Sequence, residues 1–191
     1  MTMPAGLLLT HGAGGGADHR LLVALDERLV LPVRRMEFPY RAEGRKAPDR
    51  APKLIASVVE EAARFADDLG CDPTELAFGG RSMGGRICSM AIAEGMPAAA
   101  VVLLSYPLHP PGKPEKLRVE HFPSLTRPVL LVQGRKDPFG SAEEFAQHLP
   151  AIAGQVSETW VDGGHDPRPS RDDEIVSAVA GWLGGAPSAR R

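Results

Sequence analysis

The chain has 191 residues, of which 24% are charged, and a formal net charge of −2. That length suits one domain with a proper core, and the near-neutral balance leaves no electrostatic footprint for nucleic acid or an anionic membrane surface. No apolar run approaches the ~18 residues that a membrane span needs, and Met1-Thr2-Met3-Pro4 opens no basic-then-apolar leader, so no signal peptide is expected.

Gly6 to Thr10 is a short unbroken apolar run, as in a strand buried on both faces. Asp18 is placed to cap a helix whose apolar positions are Leu21, Leu22, Leu25 and Leu29. Val33 to Phe38 reads as a second strand. An amphipathic helix follows from Pro52 to Leu69, with Leu54, Ile55, Val58, Val59, Ala62, Phe65, Ala66 and Leu69 on its apolar face and Gly70 as its stop. Leu76 to Gly79 is a strand, Met83 to Glu94 a helix and Ala100 to Leu104 a strand. Pro128 to Gln133 is another strand. Ser141-x-x-Glu144 forms a capping box for a short helix. Val156 to Val161 is the last strand, and a final helix carries Ile175, Val176, Val179, Ala180 and Leu183 before Gly184-Gly185. Alternation of strands and helices predicts an α/β fold with a mostly parallel sheet of about six strands, flanked by helices. Residues 1–184 are expected to form a single domain and 185–191 a frayed tail.

In open parallel sheets, sites lie beyond the carboxyl ends of the strands. After the third strand comes Gly79-Gly80-Arg81-Ser82-Met83-Gly84-Gly85, which contains G-x-S-x-G. A serine on a tight strand-to-helix turn presents its oxygen as a nucleophile, and the turn leaves no room for side chains two residues to either side. Chance gives such a string about 0.1 times in a chain of this composition. Its placement between an apolar run and an amphipathic helix raises its weight, although an inert glycine turn reads the same way locally. After the first strand, Thr10-His11-Gly12-Ala13-Gly14-Gly15-Gly16 offers N–H groups to an oxyanion. Ala13, or else Gly14, would pair with Met83 there. A phosphate loop fits poorly, because no Gly-Lys-Ser/Thr follows and the dinucleotide pattern fails at Ala17. His11 reads as a structural hydrogen-bonder.

Asp137 follows the fifth strand in Gln133-Gly134-Arg135-Lys136-Asp137-Pro138, where it either orients an imidazole or shapes a turn. His165 follows the sixth in Asp162-Gly163-Gly164-His165-Asp166. Of the six histidines, only His165 combines a post-strand position with the order Ser82, Asp137, His165, the Ser…Asp…His order of α/β-hydrolases.

These segments, with Phe38-Pro39-Tyr40 and the run from Ser105-Tyr106-Pro107-Leu108-His109 to Leu117, resemble the α/β-hydrolase superfamily and its small dienelactone-hydrolase-like branch. The resemblance runs from about Gly6 to Leu183. It implies Ser82 as nucleophile, Asp137 as acid and His165 as base. Dienelactone hydrolases use a cysteine nucleophile where this chain has serine, so their lactone substrate does not carry over. The strands that often precede the oxyanion strand are expected to be missing, and about two dozen Pro-rich residues after Leu104 hold no room for a cap. A minimal, cap-less hydrolase with an open site is expected, cleaving a small acyl ester through an acyl-enzyme without cofactor or metal. Tyr40, Tyr106 and His109 follow strands and are candidates to line the pocket. Arg81, with Arg41, Arg45 and Lys46, suggests either an acidic substrate group or a solvated basic loop. The alternative function is a silent hydrolase domain used as an interaction scaffold, which would hold if His165 or Asp137 could not approach Ser82. Cys71 and Cys88 are too few for a disulfide framework, so a reduced cytoplasmic protein, monomer or homodimer, is expected.

Overall fold

A computed structural model describes residues 2–184; the predicted tail at 185–191 lies outside the described residues. Six strands form one sheet: β1 (Gly6–Thr10), β2 (Val33–Met36), β3 (Leu76–Arg81), β4 (Ala100–Leu104), β5 (Val129–Gly134) and β6 (Val156–Val161). Their spatial order is β2-β1-β3-β4-β5-β6, and every neighbouring pair is parallel. The helices are α1 (Arg20–Arg28), α2 (Pro39–Ala42), α3 (Ala51–Leu69), α4 (Met83–Ala93), α5 (Ala142–His148) and α6 (Asp172–Trp182).

The unbroken apolar strands are explained by two cores, one on each face. Leu8, Phe78, Val101, Leu103, Val129 and Leu131 pack toward α3, α4 and α5. Their strand neighbours Leu7, Leu9, Ala77, Val102, Leu104, Leu130 and Val132 pack toward α1 and α6. Successive side chains point to opposite faces, so a strand buried on both sides must be apolar at every position.

Local chemistry sets most boundaries. Gly70 closes α3 in the left-handed region at φ 64°, where glycine meets no Cβ penalty. Ser141 and Glu144 make the expected capping box on α5. Three expectations need correction. α1 is capped by His19, whose Nδ1 accepts from the Leu21 N–H, and not by Asp18. β2 stops at Met36 because Pro39 starts the short α2 behind Phe38. Val59 is 44% exposed, at the edge of the buried stripe of α3. Between β4 and β5 the chain makes only one 3-10 turn, Phe122–Ser124, with no cap helix.

The chain leaves β1 toward β2 on one side and returns to β3 on the other. This reversal opens a crevice at the carboxyl ends of β1 and β3, the place where ligands bind in such sheets. No described helix is long and apolar enough to cross a membrane.

Candidate active site

Ser82 stands at that crevice between β3 and α4 with φ 52° and ψ −118°. A non-glycine residue in this region carries about 1–3 kcal/mol of strain unless its surroundings hold it. Here the Ser82 N–H donates to the Leu104 carbonyl at 2.8 Å, and the Ser82 carbonyl accepts from the Arg86 N–H at 3.1 Å. The flanking glycines are required mainly by β1. A Cβ on Gly84 would fall 2.7 Å from the His11 carbonyl oxygen, and one on Gly80 would meet Thr10 and, at 2.9 Å, the Gly85 nitrogen. The end of β1, parallel to β3 with Thr10 in register with Gly80, is the larger constraint on these positions.

His165 Nε2 lies 2.8 Å from Ser82 Oγ, and His165 Nδ1 lies 2.8 Å from Asp137 Oδ2. An ionised carboxylate only accepts, so Nδ1 carries the proton toward Asp137 and Nε2 keeps a lone pair for the serine hydroxyl. The Asp137 carboxylate is wholly buried. Its Oδ2 also accepts from Gln133 Nε2 at 2.7 Å, and its Oδ1 accepts from the Phe139 N–H at 2.9 Å. The Phe139 ring stacks on the His165 imidazole, centroid to centroid 4.0 Å at 26°. Imidazole and carboxylate are therefore fixed by packing as well as by hydrogen bonds.

The turn after β1 is pinned from behind. The Gly12 carbonyl accepts from His11 Nδ1 at 2.8 Å and from the Gly15 N–H at 3.1 Å. In a planar trans peptide the next N–H, that of Ala13, points the opposite way. The Ala13 carbonyl in turn accepts from the Tyr40 hydroxyl at 2.9 Å. Neither the Ala13 nor the Met83 N–H has a backbone acceptor among the described residues. Met83 opens α4, so its N–H is one of the helix's free donors at the positive end of the dipole.

Residues 3–179 match the family described as an alpha/beta hydrolase domain. The chain is a member of the α/β-hydrolase family. Solved structures share its fold at low identity. A protein of the α/β hydrolase superfamily from Xanthomonas campestris pv. campestris is 20% identical, with 96% of this chain and 98% of that chain covered and a TM-score of 0.67. The type II thioesterase BorB from the borrelidin biosynthetic cluster is 16% identical over 96% and 93%, at 0.70. Est1E from Butyrivibrio proteoclasticus is 16% identical over 95% and 87%, at 0.72.

Within this hydrolase the three candidate pocket residues have other partners. Tyr106 is 1% exposed, packs against Phe122 and donates to the Arg118 carbonyl at 2.6 Å. Burial raises its phenol above the ordinary range. His109 is 5% exposed, with Nδ1 2.8 Å from the Pro110 carbonyl and Nε2 3.2 Å from Glu144 Oε1. Tyr40 is buried and serves the Ala13 turn. As placed, none of the three has surface to offer a substrate.

Arg81 belongs to the site's frame. Its Nη2 donates to the His165 carbonyl at 3.2 Å and lies 3.6 Å from Asp166; its Nε is buried without a partner. Burial, with help from nearby Arg20, lowers its pKa. By contrast Arg45 pairs with Glu43 and Asp49, which fits a solvated basic loop. Sequence reasoning missed Gln133, Phe139 and Tyr40 as supports of the site. Gln133 and Phe139 flank Asp137 in the same segment, but nothing in their spacing announces which way they turn.

Proposed function

We propose that the protein is a serine hydrolase that cleaves small acyl esters through an acyl-enzyme. The observation that carries this reading is the unbroken chain of hydrogen bonds from Ser82 through His165 to Asp137, at 2.8 Å each. His165 takes the Ser82 proton as the oxygen attacks the carbonyl carbon. The oxyanion accepts hydrogen bonds from the Ala13 and Met83 N–H groups. Asp137 holds the imidazole tautomer and stabilises its charged form. His165 then gives the proton to the departing oxygen, and water enters by the reverse route to release the acid. The absence of a cap helix among the described residues favours a small or exposed acyl group. BorB, named a thioesterase, and a Pyrococcus furiosus protein named an esterase share the fold and lend the acyl-transfer reading support. The scaffold alternative required a serine out of reach of His165, and the distances speak against it.

The test is labelling by a fluorophosphonate probe in the wild type and in Ser82→Ala. Labelling that vanishes in the variant, with hydrolysis of short acyl esters reduced by 10³-fold or more, is the expected result. A folded wild type that resists the probe, or a Ser82→Ala protein with full turnover, would overturn the assignment.

A further inference from the structure

Among the described residues, two other than glycine have positive φ: Ser82 at 52° and Ser105 at 51°. They occupy matching positions. β3 and β4 pair in parallel with Arg81 opposite Leu104, so Ser82 and Ser105 are the next residues on adjoining strands, about 5 Å apart. Each continues its ladder by one bond, Ser82 N–H to the Leu104 carbonyl and Ser105 N–H to the Val132 carbonyl at 2.9 Å. Residues in register on parallel strands send their side chains to the same side.

Glycine adopts this backbone freely and serine only under strain. Strain of this kind persists where the surroundings enforce it, and it clusters at working sites. At Ser82 the side chain explains it. At Ser105 the N–H is held by the Val132 carbonyl, but the side chain has no partner among the described residues that accounts for it. The residue is 4% exposed, yet its hydroxyl makes no hydrogen bond among the described residues and is not among their fully enclosed unpaired atoms. The hydroxyl is therefore unpaired but not completely enclosed, and keeps a sliver of accessible surface.

The strand order fixes which flank of Ser82 this hydroxyl occupies. β1, with the Ala13 turn, lies on one side of β3; β4, β5 and β6 lie on the other. Asp137 and His165 reach Ser82 from the segments that follow β5 and β6, on the side of β3 where β4 and Ser105 also lie. With the carbonyl oxygen turned toward Ala13 and Met83, the departing oxygen must lie within reach of His165 Nε2, which is the flank of β4.

We propose that Ser105 is a further catalytic residue, whose hydroxyl donates a hydrogen bond to the leaving-group oxygen and then to the water that takes its place. The proton that completes the leaving alcohol comes from His165; Ser105 keeps its own. The inference rests on the acyl-enzyme reading above. A hydrogen bond to an oxygen that gains negative charge matters most when that oxygen is strongly basic, so its loss must depend on the leaving group.

The experiment compares Ser105→Gly and Ser105→Ala with wild type on two esters of one acyl group, an alkyl ester and a 4-nitrophenyl ester. Acylation is followed by its pre-steady-state burst. The alkyl ester is expected to lose about tenfold in kcat/KM, the worth of one hydrogen bond, and the nitrophenyl ester clearly less. Ser105→Gly, freed of the strained φ, is expected to melt at the wild-type temperature or above it, while Ser105→Ala loses the same activity without that relief. Equal losses on both esters, or a lower melting temperature in Ser105→Gly, would show a packing residue and overturn the proposal. A wild type that resists fluorophosphonate would overturn the acyl-enzyme reading first and this inference with it. A labelled wild type with leaving-group-independent variants would overturn this inference alone.

Discussion

Among the described residues two serine–histidine pairs stand at the same distance, and only one is arranged as the proposed catalysis requires. Ser82 and His165 meet at 2.8 Å; so do Ser89 and His121. The pairs differ in everything around that contact. The Ser89 hydroxyl donates to the Arg86 carbonyl at 2.9 Å, so its single proton is spent and His121 must donate to it. A histidine that donates to a serine is no base for it. Burial, reinforced by Arg86, pushes His121 down to about 4, which further weakens it as a proton acceptor. His165 instead has a buried carboxylate behind Nδ1 and a serine held at positive φ on the turn between β3 and α4. Distance between nucleophile and base is thus the least informative part of the motif. What counts is where each proton already points.

The largest expected effect follows from exchanging the two histidines as targets. His165→Gln should reduce ester turnover by about 10⁶-fold, while His121→Gln should stay within threefold of wild type. Comparable losses in both, measured as kcat/KM on one short ester, would erase the distinction. Next comes Asp137→Asn. An amide in place of the carboxylate presents a donor to Nδ1 or loses its charge support, and about a 10⁴-fold drop in kcat is expected. A loss below tenfold would mean that Phe139 and the loop alone orient His165.

Gln133→Leu probes the layer beneath. It removes the 2.7 Å bond to Asp137 and leaves the carboxylate with the Phe139 N–H and His165. A drop of about tenfold in kcat with little change in KM is expected, since a bond to a charged group carries about 1.5–3 kcal/mol. A change in KM alone would place Gln133 with the substrate and not with the aspartate.

These supports also mark the limit of what the sequence tells. That Ser82, Asp137 and His165 come together was legible because each follows a strand and they stand in the Ser…Asp…His order. The six strands were legible because burial on both faces demands continuous apolar runs. Tyr106 and His109 were misjudged as pocket residues for the opposite reason. They follow a strand too, but the direction of a side chain leaving a strand is decided by tertiary contacts such as Phe122 and Phe145. Tyr40 gave the same signal and turned to the Ala13 carbonyl. His19 displaced Asp18 as the cap of α1 because a ring nitrogen also accepts an N–H, an option that cap statistics undervalue. Ser105 left no local trace at all: positive φ in a serine is invisible until the backbone is known.

The smallest expected effect concerns stability, and it concerns the silent pair. His121 is held near 4 in the folded chain against an ordinary value of about 6.5 when unfolded. Between these two values the unfolded chain binds a proton that the folded chain refuses. Folding therefore loses stability as pH falls from about 6.5 to about 4, and the neutral state costs nothing above that window. His121→Gln cannot take up that proton in either state. Its melting temperature should fall less than that of wild type between pH 7 and pH 4.5, by a few degrees. The glutamine amide still donates to Ser89, so any constant offset between the two proteins reports packing, and only the difference in slope reports the histidine. Parallel curves would show that His121 titrates normally in the folded chain. Its difference from His165 would then rest on the direction of the Ser89 proton and not on burial.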